Sequence, residues 1–233
     1  MGAPPRNFAW LVKHHFGKVR AATFVAALIP AFCLVAEWWT DALGVNPLNR
    51  LLQFTGRWAL IMLIITLAIT PVRRFTVWLA QSAHARYGKR VSDWNWLVRL
   101  RRQLGLFTFL YACLHLAVYV CLDAGADLQA IVDDVAERPF ILVGFAAFGL
   151  LIPLAATSNK AAMRALGGRA WQRLHRLAYV IAGLSIVHFW LEAKVGEFKP
   201  LPYSMVLGLL LLARLQSRWG GGRRVPENDV TAR

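Results

Sequence analysis

Apolar residues in this chain gather into six runs, separated by short polar stretches rich in arginine and lysine. A bilayer core about 30 Å thick is crossed by roughly 20 mostly apolar residues in a helix that rises about 1.5 Å per residue. The runs lie near 21–39, 54–72, 104–122, 139–156, 172–191 and 201–216, the last being the shortest. The pattern predicts an all-α protein, a six-transmembrane-helix bundle. A cytoplasmic N-terminal segment (1–20) would precede the transmembrane domain (21–216), and a cytoplasmic C-terminal tail (217–233) would follow it. The first run lies too deep in the chain, and is followed by too many others, to be a secretory signal alone. Repeats and low-complexity tracts are absent from the sequence.

Composition changes how the charge is read. The chain is 58% hydrophobic, with a mean hydropathy of +0.46, yet its formal net charge is +15. A soluble domain that basic would suggest nucleic acid, but soluble domains are rarely so apolar. Basic loops on one face of a membrane reconcile the two facts and point to lipid, not nucleic acid, as the charged surroundings. With the N-terminus in the cytoplasm, all of the 27 Lys and Arg residues except Arg50, Arg57, Arg138, Lys194 and Lys199 fall on the cytoplasmic side. The positive-inside rule therefore sets both termini there. The segment after the third run carries Asp123, Asp127, Asp133, Asp134 and Glu137, and reads as a solvated outer loop or part of a docking surface. Cys33, Cys113 and Cys121 have no metal-ligand spacing and read as small packing residues.

Ionisable residues inside apolar runs are costly and are functional candidates by default. Of six histidines, His14, His15 and His84 lie in polar segments, whereas His115, His175 and His188 lie on the third and fifth helices. His115 follows Arg102 by 13 residues and His188 follows Arg176 by 12, so both lie roughly 18–20 Å into the membrane. Two neutral imidazoles at matching depth on neighbouring helices are what a bis-histidine haem requires. His175 lies 13 residues before His188, at the depth of Arg101 and Arg102. On an ideal continuous helix it would be turned well away from the His188 face. It could bind a second haem with an unusual partner, contact a propionate or flavin, or cap the start of the helix. Gly105 and the stretch Gly144 to Gly149 would let helices approach closely. The aromatics Phe107, Phe109, Tyr111, Tyr119, Phe145, Phe148, Phe189 and Trp190 supply flat apolar bulk, and Arg57 is placed to pair with a propionate or to snorkel.

The strings TGRWALIMLIITLAITPVRR (55–74), RRQLGLFTFLYACLHLAVYV (101–120), LIPLAATSN (151–159) and WQRLHRLAYVIAGLSIVHFW (171–190) resemble the MsrQ (YedZ) family. This family is a ferric-reductase-like group of membrane proteins. The resemblance implies a multi-pass cytochrome b subunit of the bacterial inner membrane. Such a subunit takes electrons from the quinone pool or a cytosolic flavin reductase. It delivers them to MsrP, a periplasmic molybdopterin methionine sulfoxide reductase that repairs oxidised proteins. It further implies haem b and FMN as cofactors, with the haem-linked histidines at His115, His188 and His175. Ferric reductases usually carry two histidines on each of two helices; here the third helix has one, which leaves room for FMN on the cytoplasmic side. The chain has no nucleotide fingerprint such as GxGxxG, so reductant must come from another protein or from the membrane. Sulfoxide reduction itself is expected on the partner. A stand-alone quinol or ferric reductase is the nearest alternative. A small proton-coupled transporter is a more distant one, because helices three and five lack the carboxylates of such pathways.

Overall fold

The computed structural model describes residues 15–84, 88–194 and 196–219, and for 215–219 the backbone alone. His14, most of the 1–20 segment and most of the 217–233 tail lie outside the described residues. Among the described residues the regular structure is entirely helical.

Helix α1 (Phe16–Trp39) and helix α2 (Pro47–Ser82) open the bundle. Asn46 caps α2 by accepting from the Asn49 amide at 3.1 Å, and Pro47 begins it where a missing N–H costs nothing. At 36 residues α2 is roughly 54 Å long and outruns the bilayer core. A 3-10 turn (Val91–Trp94) leads into α3 (Asn95–Val118), which ends in a π-helical turn, Tyr119–Asp123. The acidic segment expected as a loop contains a short amphipathic helix, α4 (Leu128–Glu137), capped by the Asp127 carboxylate. Then come α5 (Pro139–Ala156), α6 (Lys160–Leu166), α7 (Gly168–Leu174), α8 (Leu177–Glu192) and α9 (Leu201–Trp219).

Five helical stretches are long and apolar enough to cross a membrane: α1, α2, Val91–Asp123, α5 and Gly168–Glu192. The sixth apolar helix, Leu201–Arg214, is shorter, as its run of residues suggests. The fifth stretch is not one continuous helix. At His175 and Arg176 the backbone tightens: Arg176 N bonds Arg173 O, and Ala178 N bonds His175 O. The helical phase between His175 and His188 is therefore not that of an ideal helix.

The most extensive pairings are α2 with α3 and α5 with α8. Leu63 and Leu67 of α2 meet Leu151 and Leu154 of α5, Ile181 and Ala182 of α8 and Leu207 of α9, joining the two pairs. A second cluster holds α1 against α2 and α3 through Ala27, Met62, Ile69, Leu104, Phe107 and Tyr111. Elsewhere α1 turns Phe24, Ile29, Phe32 and Val35 outward, which suits a lipid-facing helix. Cys33 and Cys121 are also exposed and so do not pack in the interior; Cys113 is half-buried. The buried hydroxyls of Thr55, Thr66 and Thr108 each donate to the carbonyl four residues back, so no bare donor faces hydrocarbon.

Candidate functional site

His115 on α3 and His188 on α8 come together in the bundle interior. Their ring centroids are 6.1 Å apart and their planes differ by 81°. Each is half-buried and borders a cavity of about 240 Å³ lying between the α2/α3 and α5/α8 pairs.

The Nδ1 atom of each ring is committed to a neighbouring helix. His115 Nδ1 donates to the Leu52 carbonyl of α2 at 3.0 Å, with the Thr55 hydroxyl oxygen at 3.3 Å. His188 Nδ1 donates to the Phe140 carbonyl of α5 at 2.6 Å. A carbonyl only accepts, so the proton resides on Nδ1 and Nε2 keeps its lone pair for a metal. A metal–imidazole nitrogen bond is about 2.0 Å, and a ring centre lies about 1 Å beyond the nitrogen. Two imidazoles on one metal thus have centres roughly 6 Å apart, close to the separation seen. Among the described residues no three His, Cys, Asp or Glu side chains converge as a metal site. The pair accordingly suits a cofactor that brings the remaining ligands with it, as haem does.

The cavity walls fit a flat apolar group. Leu60, Leu63, Ala112, Ile141, Phe145, Phe148, Leu151 and Ile181 line it, and Phe109 stacks on Phe148 at 5.8 Å between centroids. Tyr119 lines it as well, and its hydroxyl donates to Asp134 of α4 at 2.9 Å. Of the aromatics singled out in the sequence, Phe107 and Tyr111 instead pack toward α1, and Trp190 bonds Ser204 at the surface. The mouth lies where α2 begins and α3 and α8 end, and carries Asn49, Gln53, Arg57, Asp123, Glu192 and Lys199. Arg57 is fixed there by its Nε bond to the Gln53 carbonyl at 3.0 Å.

His175 lies apart from this pair, in the tight turn between α7 and α8. Its ring stacks on Trp171 at 3.8 Å between centroids, and its Nδ1 donates to the Trp171 carbonyl at 3.1 Å. The Trp171 indole donates in turn to the Thr157 carbonyl at the end of α5. His175 Nε2 is buried with no hydrogen bond of good geometry among the described residues, although the Leu154 backbone of α5 is near enough to act on the ring. Arg101 of α3 is close enough to act on its charge, and Arg101 also neighbours Tyr179 and Arg214. The Arg214 guanidinium donates to the Tyr179 hydroxyl and to the Leu67 carbonyl.

The residue pattern gives no sign of Gly56, which abuts the His115 ring on α2, or of Lys199 at the mouth. Gly144 does meet a ring, that of His188, whereas Gly149 faces open space.

Residues 55–186 match the family described as ferric reductase like transmembrane component. Curated relatives cover most of both chains. A protein of Herminiimonas arsenicoxydans is 44% identical over 203 residues, 86% of each chain. One of Ralstonia nicotianae is 45% identical over 208 residues, 88% of each, and one of Rhodospirillum rubrum is 41% identical over 196 residues, 84% of this chain and 86% of its own. All three carry the name protein-methionine-sulfoxide reductase heme-binding subunit MsrQ. With its apolar helices, these matches mark a multi-pass bacterial membrane protein. The chain belongs to the MsrQ family of ferric reductase like transmembrane proteins.

Proposed function

We propose that the chain is the haem-bearing, electron-transferring subunit of a protein-methionine-sulfoxide reductase system. In this reading His115 and His188 would hold haem b, which would supply the centre for passing electrons to a periplasmic molybdopterin reductase of the MsrP type. The observation that carries the reading is the pair of imidazoles facing one cavity, each with Nδ1 bound to a backbone carbonyl and Nε2 left to ligate.

Bound haem supplies a one-electron centre whose iron changes charge by one. The protein's residues orient it, exclude water and balance its charge. Leu52 and Phe140 fix the ligand tautomers through their carbonyls, and such outer partners raise imidazole basicity. Leu63, Phe148 and Ile181 keep the site apolar, while Arg57 and Lys199 at the mouth supply cations suited to the propionates. The sulfoxide chemistry belongs to the partner.

His175 is proposed as a second cofactor contact on the cytoplasmic side, supported by its buried Nε2, which makes no hydrogen bond of good geometry. FMN in that region rests on the family resemblance alone, as does the electron donor, quinone or a cytosolic flavin reductase.

Purified protein is expected to show a low-spin b-type absorption spectrum, lost in His115→Ala and in His188→Ala. Retention of the full spectrum in both variants would refute the ligand assignment. A pyridine haemochrome assay with flavin quantification on the same sample tests the haem and FMN content. Electron delivery to a methionine sulfoxide reductase instead of chelated iron separates this reading from a stand-alone ferric reductase.

A further inference from the structure

The two axial imidazoles are held by the same local device, used twice. On α2 the acceptor is the carbonyl of Leu52, and the residue four positions later is Gly56; on α5 the acceptor is the carbonyl of Phe140, and four positions later stands Gly144. One helical turn separates acceptor from glycine, so both face the same way from their helix. A Cβ on Gly56 would lie 3.1 Å from His115 Cε1 and 3.2 Å from its Nδ1. On Gly144 it would lie 3.0 Å from both Cε1 and Nδ1 of His188. A methyl group at either place would therefore push the ring off the carbonyl that its Nδ1 must reach. Alanine is the better helix former at an interior position, so a glycine here answers a contact and not a helical preference.

We infer that Gly56 and Gly144 are positioning residues that seat the axial histidines against the Leu52 and Phe140 carbonyls and hold the two imidazole planes nearly perpendicular, setting the electronic state of the haem. The inference rests on the haem reading above. Its physical content is twofold. The carbonyl bond raises the basicity of each ligand and favours the ferric state. With both rings on one iron, the 81° between them would keep the two imidazole π-systems from acting on the same iron orbital.

The test uses purified holo-protein and electron paramagnetic resonance of its ferric form. Perpendicular axial planes give a highly anisotropic low-spin signal dominated by one large g-value; parallel planes give an ordinary rhombic one. Unmodified protein should show the anisotropic signal. Gly56→Ala and Gly144→Ala should each move it toward the rhombic form, raise the midpoint potential and weaken haem binding roughly tenfold, in the range for lost outer-shell partners. Gly149→Ala on α5 and Gly183→Ala on α8, where nothing lies within 4 Å of a new Cβ, serve as controls and should keep all three properties. A rhombic signal in unmodified protein, or wild-type signal and potential in both Gly56→Ala and Gly144→Ala, overturns the inference. Should neither alanine variant fold, the signal of the unmodified holo-protein decides alone. Unmodified protein without haem would instead refute the functional reading beneath it, which keeps the two failures apart.

Discussion

An imidazole inside a bilayer can present either nitrogen, and its neighbours decide which. At His115 the decision is shared, because the Thr55 hydroxyl donates to the Leu51 carbonyl at 2.7 Å and so turns its oxygen toward Nδ1. His188 has a single, shorter bond to Phe140. Thr55→Val, which keeps the shape and removes the second acceptor, should leave haem in place and cost about 1 kcal/mol. Thermal unfolding followed by loss of haem absorption measures it; an unaltered midpoint would mean the hydroxyl does not support the ring. His115 and His188 were legible in the sequence because ionisable side chains stand out in apolar runs at matching depth. Gly56 was not, since glycine is common in membrane helices. The Leu52 and Phe140 carbonyls were not either, since a backbone acceptor has no letter of its own. His175 was legible as a residue but not as a geometry, because its phase was read from a continuous helix that the chain does not form.

Among the elements, α1 depends most visibly on one side chain. Pro30 lies in its interior and cannot donate an amide hydrogen bond. One residue on, the Tyr111 hydroxyl of α3 donates to Ala27 O at 2.7 Å and accepts from Ala31 N at 3.2 Å, bridging a ladder step in α1. In hydrocarbon there is no water to take over those two backbone groups. Tyr111→Phe should therefore destabilise the protein by about 1–3 kcal/mol. It should leave the haem spectrum unchanged, because Tyr111 does not line the cavity. Thermal unfolding in detergent alongside an absorption spectrum separates the two effects. Element existence was readable from apolar run length: α5 begins and ends at the residues its run predicts. The amphipathic α4 was hidden by its acids, which read as loop until the Asp127 cap and the Tyr119–Asp134 bond are seen. Which helices pair was not readable, because any apolar face can meet any other in lipid, where close packing decides the partner.

At the scale of the molecule, the cavity mouth and the basic loops lie at opposite ends of the bundle. Arg57, Lys199, Asp123 and Glu192 ring the mouth, at the end that also carries α4. Arg73, Arg74, Arg99, Arg101, Arg102, Arg173 and Arg176 belong to the other end. Orientation decides what this asymmetry accomplishes. With the basic end in the cytoplasm, the orientation we propose from the positive-inside rule, the His115/His188 pair would lie nearer the periplasmic face and the turn at His175 nearer the cytoplasmic one. Electrons would then enter by His175 and leave by the mouth. The opposite orientation would open the mouth to the cytoplasm, out of reach of the periplasmic acceptor proposed above. A fluorescent protein fused after the C-terminus should be bright and an alkaline phosphatase fused there inactive, whereas phosphatase inserted at Gly125, in the turn before α4, should be active. The reversed pattern would overturn the direction of transfer while leaving the His115/His188 ligand pair intact, since the pair is held within the bundle by Leu52 and Phe140 and not by either aqueous face.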